Sequence, residues 1–454
     1  MTRRARITPT ALLLVSTLAA AGCRNAHANR TTSAPPARPA AVSSTSPAEP
    51  RPSAPAPGPN AALAEVNTRI DSLEHYVASH ANDWLDREFL AQAYLDRARA
   101  TGDWHDYANA ERSVDDAFRV APAGSGPFLT RASLNYTLHR LDRVEPDLHS
   151  AERAIFLVGS QRQTIDTLRA DTAYHTGHYD VARRGYEAAL HTGRSVPALV
   201  AMAQLEWKTG HFDAATRLLA EAAHTATPPF RPWVALVRGL LELDRGRWTD
   251  ALGFYTDGLT LAPDDHILQE HQAEVLTLLG QGDRALPTYL SLIDRTNNPE
   301  FMDAAAEIYQ ARGDHAHADA LIARASAVYQ QRLALFAEAV AGHAIDHFLR
   351  HDPQSAVHIA EVNVHARPGG EAQTKLAQAY ARVGRLADAR RVIDATIATP
   401  WDTAELHATA SIVLAAQGEN DRAATERARA LAIDPHSIDT LHWLSTSPNG
   451  ATNR

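Results

Sequence analysis

Residues 232–265 read PWVALVRGLLELDRGRWTDALGFYTDGLTLAPDD, and how this stretch folds decides how the chain folds. Apolar residues recur at helical spacing on both sides of Gly246, which predicts two short amphipathic helices joined by a tight turn. Glycine at 246 can take the positive φ that ends one helix and opens the turn. Pro263 lacks an amide hydrogen and clashes with a continuing helix, so the second helix stops there. Small residues at Gly239, Ala251 and Gly258 let helix axes approach until bulkier neighbours interlock around the contact. One such hairpin cannot bury both of its apolar faces, so it needs neighbours.

The neighbours are present in the sequence. With Ala251 as marker, similar contexts fall at Ala110, Val144, Ala182, Ala215, Ala285, Ala318, Ala356, Ala389 and Ala423, at spacings of 34, 38, 33, 36, 34, 33, 38, 33 and 34 residues. That makes ten units at a period near 34. Gly177, Gly210, Gly246, Gly280, Gly313, Gly384 and Gly418 each lie five positions before a marker. Ala117, Ala151, Ala189, Ala222, Ala325 and Ala430 lie seven after one, and Pro122, Pro263, Pro368 and Pro435 twelve after. Three linked positions in one frame are not what an alanine-rich sequence produces by chance.

This pattern resembles the tetratricopeptide repeat, with small residues at consensus positions eight, twenty and twenty-seven and proline at thirty-two. The resemblance implies an all-α, right-handed α-solenoid of about ten helix-turn-helix repeats. It also implies a non-enzymatic protein-binding role without a cofactor, and a concave groove lined by the first helix of each pair. Carrying the family's inner-face positions across gives two clusters. Repeats two to four place Tyr136, Asp171, Tyr174, His175, Gln204, Trp207 and Lys208 there, a mixed aromatic and polar surface suited to binding hot spots. Repeats six and seven place Glu270, Glu274, Glu300, Asp303 and Glu307 there, able to hold lysine or arginine side chains of a bound segment. The same positions equally suit a solvated face for the acids and inter-repeat packing for Tyr136, Tyr174 and Trp207.

The chain begins MTRRARITPTALLLVSTLAAAGC. Arg3, Arg4 and Arg6 precede an apolar run over 11–21 that is too short for a comfortable membrane span, so residues 1–22 read as a secretory signal peptide. Cys23, the chain's single cysteine, follows Ala20, Ala21 and Gly22. This resembles a lipobox, in which the cysteine is lipidated and becomes the mature amino terminus, although leucine is usual where Ala20 stands. An ordinary cleaved signal and an uncleaved anchor are the alternatives. Arg24, in place of aspartate, points by analogy with enteric lipoproteins to the outer membrane. The expected location is the bacterial cell envelope, lipid-anchored and facing the periplasm.

Residues 23–60 therefore form the lipidated cysteine and a tether rich in Pro, Ala and Ser, expected to be disordered because it lacks the apolar residues that offset ordering entropy. At about 3.1 Å per residue such a tether reaches on the order of 100 Å. The repeat region is expected over 61–445, with a flexible tail over 446–454. Leu63, Val66, Ile70, Leu73 and Val77 make a helical stripe read as a cap on the first repeat, with a dimer coiled coil as the alternative. The two 38-residue spacings each hold about one extra helical turn. Leu441 and Leu444 mark a closing helix over 436–445.

Net charge is −9, and because the first 60 residues carry seven Arg and one Glu, residues 61–454 carry −15. Nucleic acid needs a basic surface and is a poor partner; a basic or polar protein segment fits better, with membrane contact through the lipid alone. The best catalytic or metal candidate is His343, His347 and His351, spaced i, i+4, i+8 with Asp346 nearby, but HAIDH lacks the glutamate of the HExxH motif. No Gly-rich phosphate loop, GxSxG elbow or CxxC pair occurs. The expected protein is a scaffold of an envelope assembly or secretion machine, with a scaffold subunit for polysaccharide or protein export as a variant of that reading and a metal-dependent protein as its rival.

Overall fold

The computed structural model describes residues 59–154 and 159–445. The leader, Cys23, the tether up to residue 58 and the tail from 446 lie outside the described residues. Among the described residues there are 22 α-helices and no strand. Helix α1 (Pro59–Ser79) precedes ten hairpins. These pair α2 (Trp84–Thr101) with α3 (Trp104–Val120), α4 (Phe128–Thr137) with α5 (Val144–Ala154), and α6 (Gly159–His175) with α7 (Tyr179–Thr192). Next come α8 (Val196–Lys208) with α9 (Phe212–Thr225), α10 (Arg231–Asp244) with α11 (Trp248–Leu261), and α12 (His266–Leu278) with α13 (Gly282–Thr296). The series continues with α14 (Pro299–Ala311) and α15 (His315–Leu335), then α16 (Ala337–His351) and α17 (Pro353–Ala366). It ends with α18 (Gly370–Arg382) and α19 (Leu386–Ile397), then α20 (Ala404–Ala416) and α21 (Asn420–Ile433). A short α22 (Ser437–Thr440) closes the right-handed solenoid.

Local chemistry sets these boundaries. Asp83, Ser195, Asp265, Asn298 and Thr403 cap first helices, each side-chain oxygen accepting from an amide two or three residues on. Within hairpins the chain reverses at a left-handed glycine such as Gly246 (φ 69°), and the next amide, Arg247 N–H, donates back to the Glu242 carbonyl at 2.8 Å. Every marker residue is buried, nine of the ten at 0% exposure, so small side chains do sit at the helix contacts. Helix α15 has 21 residues against 14 for α9, α11 and α21, which accounts for the longer spacing around it. Ile70 of α1 is buried in the core with Leu90 and Tyr94 of α2, so this helix caps the first hairpin.

The winding is tighter than contacts between successive hairpins require. The turns inside hairpins two to five rest on the loops that precede hairpins eight, nine and ten and follow hairpin ten. His139 Nδ1 lies 3.1 Å from the Glu338 carbonyl, 199 positions away. The Gly369 amide donates to the His175 carbonyl at 3.0 Å, and the Asp402 amide to the Lys208 carbonyl at 2.9 Å. Trp248 stacks on His436 with ring centroids 3.8 Å apart. Carbonyls at the ends of α6 and α8, orphaned by helix geometry, thus find donors one superhelical turn further on. One superhelical turn takes between five and six hairpins, and successive turns touch along a continuous seam.

Candidate functional site

The inner wall of first helices is where the sequence places its candidate residues. Eight of the twelve inner-wall positions are buried: Tyr136, Asp171, Tyr174, Gln204, Trp207, Glu270, Glu274 and Asp303. His175, Lys208, Glu300 and Glu307 are half-buried. The structure brings them together as a lining, but most face one another or the seam rather than open solvent.

In hairpins two to four the aromatic residues are packed into the core. Asp171 accepts from the Tyr186 hydroxyl at 2.6 Å. Tyr174 lies edge-on to Tyr179 and 6.2 Å from Trp401, a residue of the hairpin-ten approach loop. Burial pushes the Tyr174 hydroxyl far above the ordinary tyrosine range. Trp207 carries the Lys208 ammonium 4.2 Å above its ring, and that ammonium reaches Asp244 of the next first helix at 2.6 Å. A cavity of about 10 Å³ remains at the seam among Tyr174, Tyr179, Arg367, Gly370 and Trp401, large enough for one water and no more.

The acidic cluster is already neutralised from within. Acids on α14 meet bases on α16 in register: Glu300 with His343 at 2.7 Å, Asp303 with His347 at 2.8 Å, and Glu307 with Arg350. The ladder continues through Lys375 of α18, which bonds Asp346 at 2.6 Å and Glu405 of α20 at 2.8 Å. On α12, His271 sits between Glu270 and Glu274 at 3.1 and 3.2 Å and stacks on Tyr255. Burial pushes the Glu270 carboxyl up to about 8; His271 opposes that rise, and Glu274 and Glu300 add to it. His271 goes the other way: burial disfavours its charge, but Glu270 and Glu274 outweigh burial and raise it. Glu300 is held below the usual range because His343 and Arg332 outweigh the effect of burial. A basic partner segment would therefore compete with pairs the wall makes internally.

The His343, His347, His351 set separates. His343 belongs to Glu300, while Asp303, His347 and His351 converge, with ligand-capable atoms within 4.8 Å of one another. Asp303, His347 and Ser326 also line up as a hydrolytic relay would, with Ser326 Oγ 2.7 Å from His347 Nε2. Ser326 sits in the middle of α15, however, where helix bonds use the backbone amides that an oxyanion would need. The relay works as a polar tether between helices. Sequence reasoning missed His271, Lys375, Trp401 and the seam. The bases at 343, 347 and 350 and the acids at 300, 303 and 307 carried a readable signal, a common offset of 43 or 44 residues.

These hairpins, with buried small residues at each contact, define a helical-repeat solenoid. Residues 200–266 match the family model described as tetratricopeptide repeat. A tetratricopeptide repeat protein from Parabacteroides merdae aligns with 54% of this chain and 98% of its own at 18% identity, TM-score 0.36. PilF of Pseudomonas aeruginosa aligns with 45% of this chain and 90% of its own at 15% identity, TM-score 0.37. A thermophilic tetratricopeptide protein of Thermus thermophilus aligns with 44% and 98% at 21% identity, TM-score 0.33. No curated protein sequence matches. Residues 200–266 thus carry the tetratricopeptide repeat signature within a helical-repeat solenoid, a fold that suggests a scaffold for protein or peptide partners. Among the described residues no helix is long and apolar enough to cross a membrane.

Proposed function

We propose that this chain is a lipid-anchored scaffold of the bacterial envelope that holds a protein segment against the rim of its inner wall. The observation that carries the reading is the ladder of side-chain bonds between neighbouring first helices, from Glu300 and His343 through Lys375 to Glu405. A wall ordered before binding loses little conformational freedom when a partner arrives. Lys208, Glu300 and Glu307 keep enough exposure to meet it, and the −15 charge of residues 61–454 favours a basic or polar segment. The leader pattern ending in Cys23 and the proline-rich stretch after it support anchoring through lipid, with the solenoid held off the outer membrane in the periplasm. The process served is that of an envelope assembly or export machine.

Photo-crosslinking in the native cell tests this reading. A crosslinker at position 208, 300 or 307 is expected to capture one defined protein, whereas one at the outward-facing position 319 captures none. Capture only from position 319 would place the contact on the outer face and end the inner-rim reading. Partition of the mature protein into detergent is expected to depend on Cys23, and a Cys23→Ser variant that partitions unchanged would remove the lipid anchor from the proposal.

A further inference from the structure

His347 is almost wholly enclosed, at 3% exposure, and both of its ring nitrogens are engaged. Nε2 lies 2.7 Å from Ser326 Oγ, and Nδ1 lies 2.8 Å from Asp303 Oδ1. Ser326 Oγ also lies 3.0 Å from the Ile322 carbonyl, the usual partner of a serine inside a helix. When its one hydrogen goes to that carbonyl, the hydroxyl accepts from His347 Nε2–H; when it goes to Nε2, Nδ1–H donates to Asp303 in an ordinary hydrogen bond. In a neutral imidazole the other nitrogen is a bare acceptor. In the first arrangement Nδ1 turns a lone pair onto a carboxylate oxygen, which repels unless a positive centre lies between the two. A proton can fill that role, and so can a metal ion.

A third ligand stands beside the pair. His351 follows His347 by one helical turn on α16, with ring centroids 4.8 Å apart, and the ligand-capable atoms of Asp303, His347 and His351 lie within 4.8 Å of one another. We propose that these three residues bind a divalent ion of the zinc class, which clamps α14 of hairpin seven to α16 of hairpin eight. Two imidazoles and one carboxylate form a borderline donor set that suits zinc, whereas magnesium and calcium take oxygen ligands. Asp303 and His347 are buried and His351 is exposed, so the fourth position of a tetrahedral ion faces solvent, open to water or to a partner's side chain. Arg350, whose charge acts on both Asp303 and His351, is paired with Glu307, and His343 with Glu300. Ser326 is a positioning residue: it fixes the tautomer that aims Nδ1 at the ion, as outer hydrogen-bond partners of metal-bound histidines do.

The full chain, freed of any affinity tag, is titrated with zinc alone and then with cobalt as a spectroscopic stand-in. The expected result is one zinc per chain, a cobalt spectrum of four-coordinate type, and a zinc-dependent rise in Tm. His351→Gln alters an exposed residue and leaves the fold intact; it should abolish the rise in Tm and weaken zinc by more than the roughly 10–100-fold that loss of an outer hydrogen-bond partner costs a metal site. Ser326→Ala should weaken zinc by roughly that 10–100-fold. His343→Ala should change nothing. Zinc binding that is sub-stoichiometric, that survives His351→Gln, or that falls equally in His343→Ala would overturn the site: the ion would be adsorbed on surface histidines, and a proton would hold Nδ1 and Oδ1 together.

Discussion

The Gly370 amide donates to the Tyr179 hydroxyl at 2.7 Å, a buried bond between residues 191 positions apart. Trp401 stacks on Tyr179 with 27° between ring planes and shares a core cluster with Tyr174, Tyr186 and Leu406. This one contact joins hairpins three, nine and ten. It turns a string of nearest-neighbour hairpins into two superhelical turns held edge to edge.

Gly370 is tight because of that contact. A Cβ at this position would lie 2.2 Å from Trp401 Cγ, and Trp401 is itself wedged between Tyr174 and Tyr179. Gly370→Ala should cost about 1–3 kcal/mol through overpacking. It should also widen the spacing of the superhelical turns, since relief is available only by opening the seam. Thermal melts and small-angle scattering check both effects; an unchanged melt with unchanged dimensions would show that the seam yields without strain.

Acid should loosen the same seam. Burial, with Arg367 adding, lowers His175 to about 3, and burial with Arg367 also drives His139 well below its ordinary value. Both rings stay neutral in the fold while the unfolded chain takes up protons below about 6.5, so their contribution to stability declines as pH falls from there towards 3. His271 and His407 have the opposite sign. Their raised values mean stability that is complete below the ordinary histidine range and lost as pH climbs through the folded value. Scattering at pH 5 should therefore report a more open particle than at pH 7.5. His139→Asn with His175→Gln should flatten that response, asparagine being chosen because position 139 has φ 56°. An acid response left intact in the double variant would assign it to other groups.

The hairpins were legible because their determinants are local. A glycine for the left-handed turn, an alanine for the close crossing and a proline for the exit each act within one repeat. Even there one turn was disguised, since repeat two carries His139 with positive φ where most repeats carry glycine. The seam was not legible, because whether Trp401 reaches Tyr179 depends on small rotations summed over more than five hairpins, and no single residue encodes that sum. The inner-wall residues were readable as positions but not as partners. What Glu300 faces is settled by the register of α14 against α16, and that register follows from the length of α15 between them.

Repeat packing gives a local test. Ala285 is fully buried in α13, in the same core cluster as Leu276, Phe301 and Met302. Ala285→Leu should cost about 1–3 kcal/mol, the usual penalty for added methylenes in a filled core. The loss should appear as a lower midpoint in denaturant with an unchanged slope. A neutral result would mean that the hairpin frame there is looser than its burial indicates.

Lys375 carries the strongest prediction on the inner wall. Its residue exposure is 6%, and its ammonium is held by Asp346 and Glu405 on the two flanking first helices. Burial alone would lower its affinity for a proton, yet the two carboxylates outweigh burial and raise it above the ordinary lysine range; Glu405 is correspondingly held down by Lys375. Lys375→Met would leave two like charges facing each other with their counter-ion gone. Breaking a fully buried pair costs about 3–5 kcal/mol, and because side-chain exposures of 15% and 24% admit some water to the carboxylates, about 2–3 kcal/mol is expected here. Adding Asp346→Asn and Glu405→Gln removes the stranded charges and should recover most of that loss, since Gln378 and Thr409 can still bond the amide at 405 or each other. If the triple variant were no more stable than Lys375→Met alone, the lysine would matter for its packed methylenes and not as the charge that joins three helices.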